Sequence, residues 1–231
     1  MSCSIPAQIS IRAAAKLFIA GSMDLSYNYP AETAEKILLE VLDLSIEEIL
    51  NVIDSNLYGN IADVKFIPQF GKLENVGKIP YYFKENGTVS ADYAQLGFYL
   101  KHDIKSSLGA NLKFGETHGK AACFLGLVLC VNKKICPSMF THAFYFLDSD
   151  QQEELLKRLL FRIPIVQIIL KNSRSDKFNG YTPMQTLQLS TMHRRGQCLR
   201  LIFKMLSTYS DIDLEKRIKN IIWEEHEVTI C

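Results

Sequence analysis

LGANLKFGETHGKAACFLGLVLCVNKKICPSMF, residues 108–140, is the stretch whose reading decides the fold. Its first half spaces His118, Ala121, Ala122 and Leu125 close to one stripe of a helix. Lys113, Glu116, Thr117 and Lys120 then fall on the outward side. Its second half sets two apolar arms around Asn132-Lys133-Lys134, the pattern of a two-stranded ribbon with a basic tip. A helix feeding such a ribbon must find cover for its apolar stripe in the flanking sequence.

Upstream, LENVGKIPYYFK (73–84) reads as a helix, Glu85-Asn86-Gly87 as a turn, and SADYAQLGFYL (90–100) as a second helix capped by Ser90. Residues 108–127 supply a linker and the third. Three short helices followed by a ribbon make the winged variant of the helix-turn-helix. Downstream, Thr141 is expected to cap HAFYFL, and residues 150–172 read as helical on both sides of Pro164. LSTMHRRGQCLRLIFKML (189–206) follows, with Leu199, Ile202, Phe203 and Leu206 as the stripe that docks it onto the winged-helix body.

Toward the N-terminus, residues 6–20 read as a helix with Ile9, Ala13 and Phe18 among its apolar positions, and Pro30 opens another. Leu44-Ser45 followed by Glu47 and Glu48 has the form of a fresh cap, which divides the next helical run in two. The helical pattern breaks before residue 68, where ADVKFIP (62–68) suits a short strand. The expected fold is mainly α. An acidic helical N-terminal segment (1–68) precedes a winged-helix domain with a helical C-terminal layer (69–210) and a C-terminal helix and tail (211–231).

The chain's 231 residues suffice to bury a core. No run of about eighteen apolar residues is present and no signal peptide is read, so the expectation is a cytoplasmic protein with no membrane partner. Six cysteines, at positions 3, 123, 130, 136, 198 and 231, form no CxxC pair and fit a reducing compartment. The central three, with His118 and His142 nearby, read as buried thiols acting as small hydrophobes rather than as a metal site. Charge is sorted along the chain although the net is only +1. Residues 1–60 carry three basic against eight acidic side chains, residues 101–135 six basic against two, and residues 157–204 ten basic against Asp176 alone. Such sorting points to a basic surface facing a polyanion.

In a winged helix the third helix enters the major groove and the ribbon tip lies on phosphates. Lys113, Glu116, Thr117 and Lys120 are therefore the candidates for base edges and phosphates, and Lys133 and Lys134 for phosphates alone. Leu125-Gly126-Leu127-Val128 and Ser190-Thr191-Met-His-Arg194-Arg195 carry a further likeness. In this order they resemble the winged-helix module of bacterial type II restriction endonucleases and related defence proteins. Residues 70–206 are covered. The chain departs from that pattern at His142-Ala143, where the family prefers a Gly, and at Ile202-Phe203, near the family's usual Trp. The resemblance implies sequence-specific binding of double-stranded DNA as the recognition component of a restriction or phage-defence system, with no chemistry in this chain. Arg194, Arg195 and Arg200 would add phosphate or guanine contacts. The alternative for Arg194 and Arg195 is structural, pairing with Glu153, Glu154 or the acidic N-terminal segment. The N-terminal helices would dock a catalytic subunit or a second copy.

Three rival readings use the same residues. A small Mg²⁺-dependent endonuclease would draw on Asp54, Asp63 and Lys65, an acid-x-Lys step with one acid upstream. Asp213, Glu215 and Lys216 make a weaker set. A transcription regulator would share the fold, and an interaction module would never touch nucleic acid. No Walker loop, dinucleotide-binding glycine fingerprint or Gly-x-Ser-x-Gly elbow is present. Neither a cofactor nor a structural metal is expected.

Overall fold

A computed structural model of the chain describes residues 9–25, 29–56, 67–101 and 106–224. In chain order its elements are α1 (Ile11–Ile19), α2 (Ala31–Asp43), α3 (Ile46–Ser55), α4 (Leu73–Gly77), α5 (Ile79–Asn86), α6 (Tyr93–Lys101) and α7 (Leu108–Phe124). The hairpin β1 (Val128–Val131) and β2 (Lys134–Pro137) follows, then α8 (Met139–Phe144), α9 (Ser149–Leu159), a 3₁₀ turn (Leu160–Arg162) and α10 (Pro164–Asn172). The strand β3 (Phe178–Asn179), a second 3₁₀ turn (Thr182–Met184), α11 (Leu189–Leu206), α12 (Ile212–Asn220) and β4 (Ile221–Ile222) complete the described part. The protein is mainly helical with a small antiparallel sheet, as the periodicity implies.

The chain forms two compact units, and both are discontinuous. Unit 1 joins Met1–Leu44 to Pro68–Ile163, and unit 2 joins Ser45–Ile67 to Pro164–Cys231. The sequence boundary near 68 coincides with one crossing. The others lie at the Ser45 cap and at Pro164, two points where the backbone must change direction.

In unit 1, α1 and α2 pack on each other, and α2 continues onto α8 and α9. Ala34, Ile37, Leu38 and Val41 of α2 are fully buried at helical spacing. Phe18 and Phe140 stack at 4.5 Å between centroids, each contributing about 1.5–3 kcal/mol through burial. Two arginines add donors to carbonyls at helix ends. Arg158 donates to the carbonyl of Val41 in the last turn of α2 and to that of Leu44 just past it, and buried Arg162 donates to the Phe18 carbonyl near the end of α1.

The expected helix at 73–84 is two helices, α4 and α5, because Pro80 in the first turn of α5 cannot continue a helix from before it. Asp92, not Ser90, starts α6: Asp92 accepts from Gln95 N at 2.8 Å, and the Gln95 side chain accepts from Asp92 N at 2.9 Å. The backbone beside Ser90 has another partner. Ala91 and Ile135 exchange both hydrogen bonds, at 2.8 and 2.9 Å, and so lay a third strand position against β2. Similarly, Thr141 is not the cap of α8 but the third residue of a capping box begun by Ser138.

The central crossing of unit 1 is α6 on α7. A Cβ on Gly97 would come within 1.9 Å of Asn111 O, and one on Gly115 within 1.8 Å of Tyr93 O, so the two backbones touch. His118, Ala121, Ala122 and Leu125 are buried on the inner stripe of α7.

Unit 2 gathers α3, α10, α11 and α12 with the short parallel pair β3–β4. Its core holds Ile49, Leu50 and Ile53 of α3, Ile165, Ile168 and Ile169 of α10, and Leu199, Ile202, Phe203 and Leu206 of α11. The stripe of α11 is thus buried, within unit 2, where Phe203 meets Trp223 at 6.3 Å. The strand expected at ADVKFIP lies, apart from Ile67 and Pro68, outside the described residues.

Candidate nucleic-acid interface

The outward side of α7 carries Lys113 and Lys120 exposed, with Glu116 and Thr117 half-buried between them. Glu116 accepts from both lysines, at 3.1 Å from Lys113 and 2.6 Å from Lys120. Hydrogen bonds from Lys120 and then Lys113 hold its carboxyl below the usual carboxylate range. One acid is therefore shared by two cations, and the face keeps a positive balance. Inside, the His118 ring donates from Nδ1 to the Phe114 carbonyl at 2.9 Å, and burial pushes its pKa down, so it carries no charge toward a ligand.

The hairpin turns on two residues. Asn132 and Lys133 both adopt left-handed backbone, with φ of 50° and 62°, the form that matches the twist of the flanking strands. Val131 pairs with Lys134, so Lys134 is the first residue of β2 rather than part of the turn. Both lysines are exposed.

The three central cysteines, read from the sequence as buried thiols, lie in the last turn of α7 and on the two strands of the hairpin. Cys123 lies in the last turn of α7 and Cys130 on β1, on either side of the Gly126 turn, where φ is 76°. The Tyr93 hydroxyl lies 3.5 Å from Cys130 Sγ. The contact with Cys123, then the Tyr93 hydroxyl and the Lys120 charge, outweigh burial and pull the Cys130 thiol down to about 5. The same contact, followed by burial, pushes the Cys123 thiol well above its ordinary value. Cys130 is exposed and Cys123 and Cys136 are half-buried, so these are not the fully buried thiols expected. Two cysteines seven positions apart across a helix-to-strand step were the signal available in the sequence.

The arginines of α11 have different fates. Arg194 is exposed. Arg195 donates to the Ile67 carbonyl at 2.5 Å, within unit 2. Arg200 donates to the Tyr181 hydroxyl at 2.8 Å and lies 5.3 Å from the centre of the Trp223 ring. Glu153 and Glu154, the acids proposed as their partners, instead bind Lys157 and Arg158.

Asp54 has a structural partner. Arg217, 1% exposed, meets both carboxylate oxygens of Asp54, at 2.7 and 2.8 Å, and also binds Asp213. Burial raises the Asp54 pKa, but Arg217, with Arg174 and Lys171 behind it, brings it below the ordinary value. With both oxygens held by one guanidinium fork, Asp54 is an ion-pair residue rather than the upstream acid of a metal centre. Asp63 and Lys65 lie outside the described residues. Lys216 is exposed, and Glu215 pairs with Lys219 at 2.6 Å.

No protein-family model, curated protein or solved structure matches the chain. Among the described residues, no helix is long and apolar enough to cross a membrane.

Proposed function

We propose that this chain binds double-stranded DNA sequence-specifically, with α7 entering the major groove and the β1–β2 hairpin lying along the phosphates. The observation that carries the reading is the exposed lysine set Lys113, Lys120, Lys133 and Lys134, on a helix and the hairpin that follows it directly. The order α5, Ala91, α6, α7, β1, β2, with Ala91 laid against β2, supports a winged helix-turn-helix for this part of unit 1. On this reading Thr117 and the Glu116-tethered Lys120 meet base edges, while Lys133 and Lys134 neutralise phosphates.

Arg194 is the member of the α11 set that remains a nucleic-acid contact in the proposal, because Arg195 and Arg200 engage groups within unit 2. The narrower role, recognition within a restriction or phage-defence system, is supported by the sequence resemblance at Leu125–Val128 and Ser190–Arg195. Catalysis is assigned to a separate subunit.

Selection from a random duplex library, run with and without Mg²⁺, tests the reading. Enrichment of one motif without strand cleavage is the expected result. Retention of all duplexes alike would remove the sequence specificity, and Mg²⁺-dependent cutting would place the chemistry in this chain.

A further inference from the structure

We propose that Glu116 and Lys120 together read one C·G base pair, the carboxylate taking the cytosine amino group and the ammonium the guanine edge. The inference rests on the reading of α7 as the helix in the major groove and adds to it the base pair that the helix requires.

The side chains on the outward face of α7 differ in what they can offer a base. Lys113 and Lys120 can only donate, Leu112 can neither donate nor accept, and the Thr117 hydroxyl can do both. Glu116 can only accept, because the lysine hydrogen bonds hold its carboxyl below the usual carboxylate range and keep it ionised. Its side chain is 25% exposed between lysines that are 65% and 53% exposed. Each of its oxygens takes one lysine, Oε2 from Lys113 at 3.1 Å and Oε1 from Lys120 at 2.6 Å. The carboxylate is thereby held in one direction, and each oxygen keeps a second lone pair for a ligand.

A carboxylate opposite a polyanion is repelled unless it meets a donor. In the major groove the donors are the amino groups of cytosine N4 and adenine N6; guanine and thymine present acceptors and, on thymine, a methyl group. The partner base decides between the two. Cytosine N4 and guanine O6 share a base-pairing hydrogen bond, so they lie about 3 Å apart. Lys120 Nζ and Glu116 Oε1 lie 2.6 Å apart, so the two side chains match the edge of one pair, acceptor to donor and donor to acceptor. An A·T pair has the same step, but thymine gives the ammonium O4 alone beside its methyl group, whereas guanine gives it both O6 and N7.

The test is selection from a random duplex library by the parent chain and by Glu116→Gln. The parent motif should contain a C·G pair at which cytosine is preferred to adenine by on the order of tenfold. In Glu116→Gln that position should change to A·T, since a glutamine amide pairs with adenine N6 and N7. Glu74→Gln removes the acidic partner of Lys78, at the same i,i+4 spacing on α4, and should leave the motif unchanged. A modified duplex gives a measurement on the parent chain alone. Replacing the selected cytosine by 2-pyrimidinone, which lacks the amino group, should weaken parent binding on the order of tenfold. A parent motif without a C·G pair, the same motif from Glu116→Gln, an equal shift in Glu74→Gln, or equal affinity for the two pyrimidines would overturn this proposal and leave α7 in the groove. Retention of all duplexes alike by the parent would instead overturn the groove reading, and this proposal with it.

Discussion

Two cationic helices, α7 in unit 1 and α11 in unit 2, have similar sequence credentials and use them differently. In α7 the side chains that reach inward are small, with Gly115, Gly119, Ala121 and Ala122 letting neighbouring elements come close, so the lysines have nowhere to go but outward. In α11 the inward side includes Gly196 under the Tyr181 ring, and Arg195 and Arg200 fold back onto a carbonyl and an aromatic face, while Arg194 stays exposed. A guanidinium offers five donors in a plane and satisfies buried acceptors well; an ammonium on a flexible stem is easier to leave in water. Positive charge along a helix therefore does not by itself mark a binding face. What the charge is bonded to decides.

This contrast can be broken in several ways. The largest effect is expected at the ion pair that anchors unit 2. Arg217→Met leaves the Asp54 carboxylate without its fork and should cost about 3 kcal/mol in denaturant unfolding. Gly115→Ala should cost about 2–3 kcal/mol, because the new methyl meets backbone that cannot turn aside. Gly196→Ala should cost about half as much, since its methyl, 2.4 Å from a Tyr181 ring carbon, meets a side chain that can shift. Equal losses at the two glycines would remove the difference in packing between the helices. Arg200→Ala should lower stability by about 1 kcal/mol and leave duplex affinity within about twofold, which a melting curve and a gel shift read separately. A large affinity loss there would return α11 to the interface.

The smallest effect concerns pH. Burial depresses the His118 pKa, so the unfolded chain takes up a proton at the ordinary imidazole value while the folded chain does not. Falling pH thus favours unfolding, and this contribution, fully present above about pH 6.5, fades as pH drops below it. His118→Gln should flatten the part of the melting-temperature profile between about pH 6.5 and 5. An unchanged profile would show that the ring titrates alike in both states.

Much of this was legible in the sequence. The Ser45 cap, the stripe of α7 and the basic hairpin follow from periodicity and turn chemistry, which act over a few residues. The division into interleaved units was not legible, because an apolar stripe states that a face is covered without naming what covers it. Ile9, read as part of an apolar face, is 38% exposed, while Phe18, read on the same face, is buried with Ala14, Ala15 and Ile19. The same limit hid the partners of Arg195, Arg200 and Asp54, each of which meets groups distant in sequence. The local signals also misplaced two caps, at Ser90 and Thr141, where the Asp92–Gln95 box and the Ser138 box respectively set the helix start.

The reading of α7 and its hairpin as the DNA-contacting surface is tested most directly by the salt dependence of duplex affinity. The parent chain and a Lys133→Ala, Lys134→Ala double variant should be compared over a range of salt concentrations. If these lysines lie on phosphates, the slope of log affinity against log salt should fall in magnitude by about two in the variant, close to one for each counterion no longer released. Parallel slopes for the two proteins would contradict the account.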